Sequence, residues 1–438
     1  MDYIAHTKEE QQKMLSAIGL DQLDDLYADV PEGARLSGSL RLPEGVSEFE
    51  ALEKIQELAD QNKVYKTIFR GAGAYRHLIP SAVRNIASIS GFVTAYTPYQ
   101  AELSQGILMG MFEYQSMIAE LTGMHTANAS VYDGAEAAAE AMIMCLDAMH
   151  HKVLVSAGIN PEVRMVLDTY AHSQNAEIIE IPLNDGRTDI EALKNMIDAN
   201  TACVYTEQPN FRGLYEDVSA IAETAHASRV KVITGVNPTA LALWKTPGEC
   251  GSDIAVGEGQ SLGLDLGCGG PYCGFMACTK ELMRKLPGRI VGQTQDRHGN
   301  RCYVLTLQAR EQHIRREKAS SSICSNQALC AFRNTVYMAA LGKEGFKEMA
   351  ENCATLAHYA EKEITSVPGF TRADSGEFFM EFVIRTSVPV EKINKALDAE
   401  GILGPLELSE HEMLVCATEA NSIQEIDHLV KVLKEVGA

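Results

Sequence analysis

The chain has 438 residues, 46% of them hydrophobic, and its 59 Asp and Glu against 38 Lys and Arg give a formal charge of −21 at pH 7. So acidic a surface repels nucleic-acid phosphates and anionic lipid headgroups, which excludes both as partners. The length exceeds what a single hydrophobic core usually fills, so two lobes and an arm are expected.

The amino terminus, Met1-Asp2-Tyr3-Ile4-Ala5-His6-Thr7-Lys8, shows neither a cleavable leader nor a long apolar run, and a cytoplasmic location is expected. Residues 1–60 read as a polar helical arm, with helices over Lys8 to Ile18, Leu20 to Tyr27 and Ser47 to Gln61. Such an arm cannot bury a core alone and is expected to pack on a neighbour.

A large α/β domain is expected over 61–325. Near its start, the glycines of Gly71-Ala72-Gly73 permit a sharp turn that leads to Tyr75, Arg76 and His77. Such a loop suits a ligand or another chain, although a histidine here is more often a hydrogen-bonded structural group than an acid or base. Next, Thr97 as cap, Pro98 at the first helical position and Gln100 predict a capping box. Leu103, Ile107, Met111, Tyr114, Ile118 and Leu121 then share one face of a helix that Gly123 ends. Tyr96, Thr97, Pro98, Tyr99 and Glu102 gather at its amino end, suited either to an anionic group or to interface packing.

Ser130 to Ala135 leads into an alanine-rich helix, Glu136 to Leu146, with Asp133 as its N-cap. Strands are expected at Lys152 to Ser156, Glu177 to Ile181, Ala202 to Thr206, Lys231 to Val236 and Asp253 to Val256, alternating with helical stretches. That alternation predicts a mainly parallel sheet covered on both faces. Lys245 reads as a solvated loop lysine, and Lys280 as the start of a charged helix to Lys285. Arg310, Arg315, Arg316 and Lys318 around His313 either orient a carboxylate or partner chain, or pair with Glu311 and Glu317 on a solvated helix.

Residues 326–438 are expected to form a small C-terminal α+β domain. Its elements are helices over about 325–341 and 343–366, strand Glu377 to Ile384, helix Val390 to Glu400, strand Met413 to Ala417 and helix Ile423 to Val436. The 11 cysteines show no CxxC pair, which fits buried free thiols in a reducing compartment. Cys268, Cys273 and Cys278 are not expected to bind metal, because strand alternation sends them to different faces and no histidine lies close by in sequence.

Open α/β sheets bind ligands beyond the carboxyl ends of their strands, which directs attention to Thr206 to Asn210, Asn237-Pro238 and Gly257 to Gly263. Ser252 to Gly263 is similar to the cofactor-lysine strand of a pyridoxal-phosphate enzyme of the aspartate-aminotransferase-like fold (fold type I), with the lysine missing. Such an enzyme needs a carboxylate for the pyridine nitrogen, a lysine for the Schiff base and helix N-terminal amides for the phosphate. Here Asn237 stands at the carboxylate position and Ser261 at the lysine position. Asp133 caps the helix that would receive the phosphate, and its charge repels one. Asp133, Asn237 and Ser261 therefore read as vacated positions, and no cofactor is expected on this chain.

Longer stretches make the likeness specific. They are Gly71 to His77 with Ile79-Pro80, Thr94 to Glu102 with Ser104-Gln105-Gly106, Phe112 to Gln115, Glu120 to Gly123, Tyr132 to Ala135, Gln208 to Phe211, Gly257 to Gly263 and Gly269 to Tyr272. With these the chain resembles the amino-terminal subunit of split glycine decarboxylase, the P protein of the glycine cleavage system, over nearly its full length. The resemblance implies that a homologous subunit carries the lysine and pyridoxal phosphate. It further implies that the pair decarboxylates glycine and transfers the aminomethyl group to the lipoyl arm of the H protein. On that reading Tyr75, His77, Tyr96, Thr97, Pro98, Tyr99 and Glu102 are candidates for an active-site wall or interface, and no catalytic residue is assigned. The alternatives are a self-sufficient pyridoxal-phosphate enzyme of aminotransferase or desulfurase type, and a non-catalytic scaffold.

Overall fold

The computed structural model describes residues 6–36, 38–95, 98, 100–267, 269–319, 321–323 and 325–437. It separates into two compact units, one ending at Val64 and one beginning at Tyr65. In the first unit Thr7 and Ser47 build complete capping boxes with Glu10 and Glu50, and so start helices α1 (Lys8–Ala17) and α2 (Glu48–Ala59). A short 3-10 turn, Leu23–Tyr27, replaces the middle helix expected from the sequence. Leu15 is the only buried apolar side chain among the described residues of this unit, while Leu23, Leu26, Leu52, Ile55 and Leu58 are exposed.

The second unit is organised by a seven-stranded sheet. Helix α3 (Gln105–Thr122) stops at Gly123, whose φ of 69° gives a left-handed C-cap. There follow β1 (Thr126–Ala127), α4 (Gly134–Cys145), β2 (Lys152–Ser156), α5 (Pro161–Gln174), β3 (Glu177–Ile181), α6 (Ile190–Met196) and β4 (Thr201–Gln208). Then come α7 (Val218–His226), β5 (Lys231–Val236), β6 (Ile254–Glu258) and β7 (Gly274–Cys278). The spatial order is β1-β7-β6-β5-β4-β2-β3. β3, β2, β4, β5 and β6 are parallel, and β7 runs against both its neighbours. The inner strands are buried on both faces, which is why they read as continuous apolar runs.

Two expectations change. The helix predicted to start at Pro98 starts at Gln105, with Leu103 81% exposed in the turn before it. Gln105 Nε2 donates to the carbonyls of Ala101 and Tyr303, and its Oε1 accepts the Tyr303 amide. The helix start is thereby tied to the hairpin Val291–Gln295 with Arg301–Leu305, a tertiary bond that no local pattern encodes. The helix expected over Lys280 to Lys285 is instead a run of turns, with Leu282 N–H on Thr279 O and Lys285 N–H on Leu282 O. A stretch that short before Pro287-Gly288 cannot offset the entropy of a helical nucleus.

The helical run α8 (Ala328–Thr365) is the two helices predicted there, meeting at a kink at Gly342, whose φ of 62° is not helical. It is followed by β8 (Phe370–Arg372), β9 (Glu381–Thr386), α9 (Val390–Ala399), β10 (Leu406–Ser409), β11 (Glu412–Cys416) and α10 (Ile423–Gly437). The second sheet has the order β8-β9-β11-β10, two strands more than the sequence indicated. One apolar cluster runs from Tyr114 of α3 and Phe275 of the large sheet to Phe382 and Val415 of the second. No described helix is long and apolar enough to cross a membrane.

Candidate active site

The strand register sets the ends of β4, β5 and β6 side by side, with Gln208 opposite Val236 and Val236 opposite Gly257. Beyond those ends lies a cavity of about 440 Å3. All three vacated positions, Asp133, Asn237 and Ser261, line it, together with Tyr75, Glu207 and Glu258. The fold thus gathers into one place residues that the sequence separates widely.

Asp133 caps α4 as expected, its Oδ1 accepting the Glu136 amide at 2.8 Å. The first amide of that helix, Gly134 N–H, donates to Glu258 Oε2 at 3.0 Å. A Cβ on Gly134 would stand 3.0 Å from Glu258, so glycine is what allows this approach. Glu258 Oε1 also accepts the amides of Gln260 (3.0 Å) and Cys273 (2.9 Å). A carboxylate of the chain itself therefore occupies the donor position where an anion would otherwise sit. Burial pushes its carboxyl up to about 7, against the pull of those three amides.

Glu207 stands across the cavity. It accepts the Asn160 amide at 2.8 Å and the Tyr205 hydroxyl at 3.1 Å, and burial likewise raises it to about 7. The bare Gly235 makes room for this pair, since a Cβ there would meet Tyr205 and Glu207. Asn237 turns inward, its Oδ1 accepting from Thr239 N–H (3.0 Å) and Oγ1–H (2.7 Å). Ser261 is 2% exposed and its Oγ has no hydrogen-bond partner among the described residues.

The loop from Gly71 to Tyr75 closes one side. Gln260 accepts the Tyr75 amide (2.7 Å) and donates to its carbonyl (2.9 Å). From β9, Glu381 accepts the Ala72 amide (2.6 Å) and the Tyr75 hydroxyl (2.8 Å). Burial pushes Glu381 up to about 7 and the Tyr75 phenol well above its usual range.

The remaining candidates fall elsewhere. His77 does not line the cavity; its Nδ1 pairs with Glu419 Oε2 at 2.8 Å, and the Cys353 thiol donates to the same oxygen at 3.0 Å. His77 bonding and hydrogen bonds to the Leu78 amide and the Cys353 thiol hold the Glu419 carboxyl below its usual range despite burial. Pro98 is buried and Glu102 exposed, both outside the cavity lining. Tyr96, Thr97, Tyr99 and Cys268 lie outside the described residues. Cys273 precedes β7 and Cys278 ends it, and the two lie in different apolar clusters. Arg310 donates to the Gly288 carbonyl at 2.7 Å, while Glu311 pairs with Arg289 rather than with Arg310.

Glu207 and Glu258 were within the strand-end segments but carried no assignment; an acid at the carboxyl end of a buried strand was the available signal. Glu381 and Glu419 gave none, because they approach Tyr75 and His77 from the far end of the chain.

A family profile described as glycine cleavage system P-protein matches residues 1–433. Two relatives, each called "probable glycine dehydrogenase (decarboxylating) subunit 1", are 48% identical and covered in full, as is this chain: those of Desulfitobacterium hafniense and Moorella thermoacetica. A crystal structure of glycine decarboxylase (P-protein) of the glycine cleavage system, in inhibitor-bound form, superposes with a TM-score of 0.93 at 41% identity over the whole of both chains. A Lactobacillus brevis glutamate decarboxylase, at 12% identity and a TM-score of 0.69, shares the fold. The architecture is that of the fold type I pyridoxal-phosphate enzymes, and the chain belongs to the glycine cleavage system P-protein family.

Proposed function

We propose that this chain is the lysine-free subunit of a heteromeric, cytoplasmic glycine decarboxylase. A homologous lysine-bearing subunit holds the pyridoxal phosphate, and the complex transfers the aminomethyl group of glycine to the lipoyl arm of the H protein. The observation that carries this reading is the cavity at the strand ends. No lysine lines it among the described residues, and Ser261, which we read as standing at the Schiff-base position, does. Glu258 holds the amide of Gly134, and Asn237, an amide whose Oδ1 is taken by Thr239, stands where the family resemblance implies a carboxylate for the pyridine nitrogen. Pyridoxal phosphate does not fit these residues, so no chemical step is assigned to them.

What the chain contributes is a wall and a surface. Tyr75 is fixed by Gln260 and Glu381, and the 96–102 segment is the candidate to reach the partner's site. The self-sufficient enzyme needs a lysine, and none lines this cavity among the described residues. The test is to incubate the purified chain with pyridoxal phosphate, reduce with borohydride, and then assay glycine-dependent carbon dioxide exchange with the lysine-bearing subunit added. We expect no labelled lysine on this chain, and exchange only in the mixture. Labelling and activity of the chain alone would overturn the proposal, and a partner fully active without this chain would reduce it to a scaffold.

A further inference from the structure

The polar atoms left open in the cavity include several carboxylate lone pairs. Each carboxylate oxygen can accept two hydrogen bonds, and Glu207 uses one on each oxygen, for Tyr205 and Asn160. Glu258 Oε1 is filled by two amides, but Oε2 receives Gly134 alone. Asn237 Oδ1 is already taken twice. The Ser261 hydroxyl, buried and lining the cavity, has no partner among the described residues. No Lys, Arg or His lines this space among the described residues, whereas Asp133, Glu162, Glu207 and Glu258 all do.

An anion would therefore meet four carboxylates and no cationic side chain among the described residues, and two amides of the helix start, those of Gly134 and Glu136, are already engaged by Glu258 and Asp133. A cation with several N–H donors would find open lone pairs. Tyr205, Phe211 and Tyr272 supply aromatic lining of the kind that attracts organic cations. The volume, about 440 Å3, lies in the range of small-molecule sites.

We propose that this cavity binds a small organic ammonium ion, a primary alkylamine or diamine without carboxylate or phosphate, held by Glu207, Glu258 and the Ser261 hydroxyl. The inference rests on the reading that this chain does not hold pyridoxal phosphate. An amine donates up to three hydrogen bonds and neutralises buried acids that burial alone pushes up to about 7. Glycine is disfavoured because its own carboxylate would enter among four others.

The test titrates the full-length chain, alone and complexed with the lysine-bearing subunit, by calorimetry and ligand-observed NMR. The probes are methylamine, 1,3-diaminopropane, glycine, inorganic phosphate and magnesium ion. Amine binding at one site per chain is expected, weakened about tenfold by Glu207→Gln and severalfold by Ser261→Ala, with thermal unfolding confirming that both variants fold. Three results would overturn the inference: no amine binding, amine binding indifferent to both substitutions, or tighter binding of glycine, phosphate or magnesium. Uptake of pyridoxal phosphate onto a lysine of this chain would overturn the proposed function as well. Absence of both amine and cofactor binding would remove only the ammonium site.

Discussion

Glu381 reaches the 71–75 loop from a different sheet, and both of its oxygens are used there, on the Ala72 amide and the Tyr75 hydroxyl. Removing it strands two buried donors at once. Glu381→Ala is expected to cost about 2–4 kcal/mol, whereas Glu381→Gln, which can still accept from Ala72 and donate to the Tyr75 oxygen, should cost less than about 1 kcal/mol. Urea denaturation of the two variants checks this; equal losses would show that the carboxylate is not organising the loop. At this scale the sequence revealed which residues were missing, since the identities of Asn237 and Ser261 need no fold to be read. It could not reveal Glu381, because its partners lie about 300 residues away in sequence.

Among elements, strand β6 shows how backbone packing fixes the cavity floor. A Cβ on Gly257 would collide with the Val236 carbonyl and the Phe275 ring, so this glycine is what allows β5 and β7 to close on β6. Gly257→Ala is expected to lower stability by about 1–3 kcal/mol through overpacking. Gly106→Ala, where nothing lies within 4 Å, should be neutral or stabilising. Chemical denaturation midpoints read both, and a Gly257→Ala protein as stable as the parent would mean the sheet can open there without penalty. The five parallel strands were legible because burial on both faces leaves apolar runs. β7 was not assigned, since Gly274 to Cys278 is short, glycine-led and follows a glycine-rich turn. The start of α3 was misplaced because a cap-like local pattern competes with the Gln105–Tyr303 tertiary bonds.

Across the whole molecule, buried acids set the response to pH. Burial raises Glu140, Glu207, Glu258 and Glu381 from 4.5 to about 7. Each binds its proton more tightly folded than unfolded, so the stability it contributes is full below about 4.5 and is lost as pH rises through about 7. A shift of this size is worth on the order of 3 kcal/mol per group. Glu419 and Asp265 are lowered and act in the opposite sense, losing their contribution as pH falls. The melting temperature is therefore expected to decline from about pH 5 to about pH 8, and Glu207→Gln should flatten that decline. Calorimetry across this range checks it, and a melting temperature that rises toward pH 8 would contradict it. By itself the sequence determined the sheet's strand runs, the family likeness and the absence of a lysine at Ser261, because apolar runs and residue identities are written in the covalent chain. Only the tertiary structure decided that Glu207 and Glu258 face one cavity while Glu381 braces its rim, and that Gly134 donates to a glutamate. Those contacts exist only once the strand ends stand in register and the second sheet folds back onto the 71–75 loop.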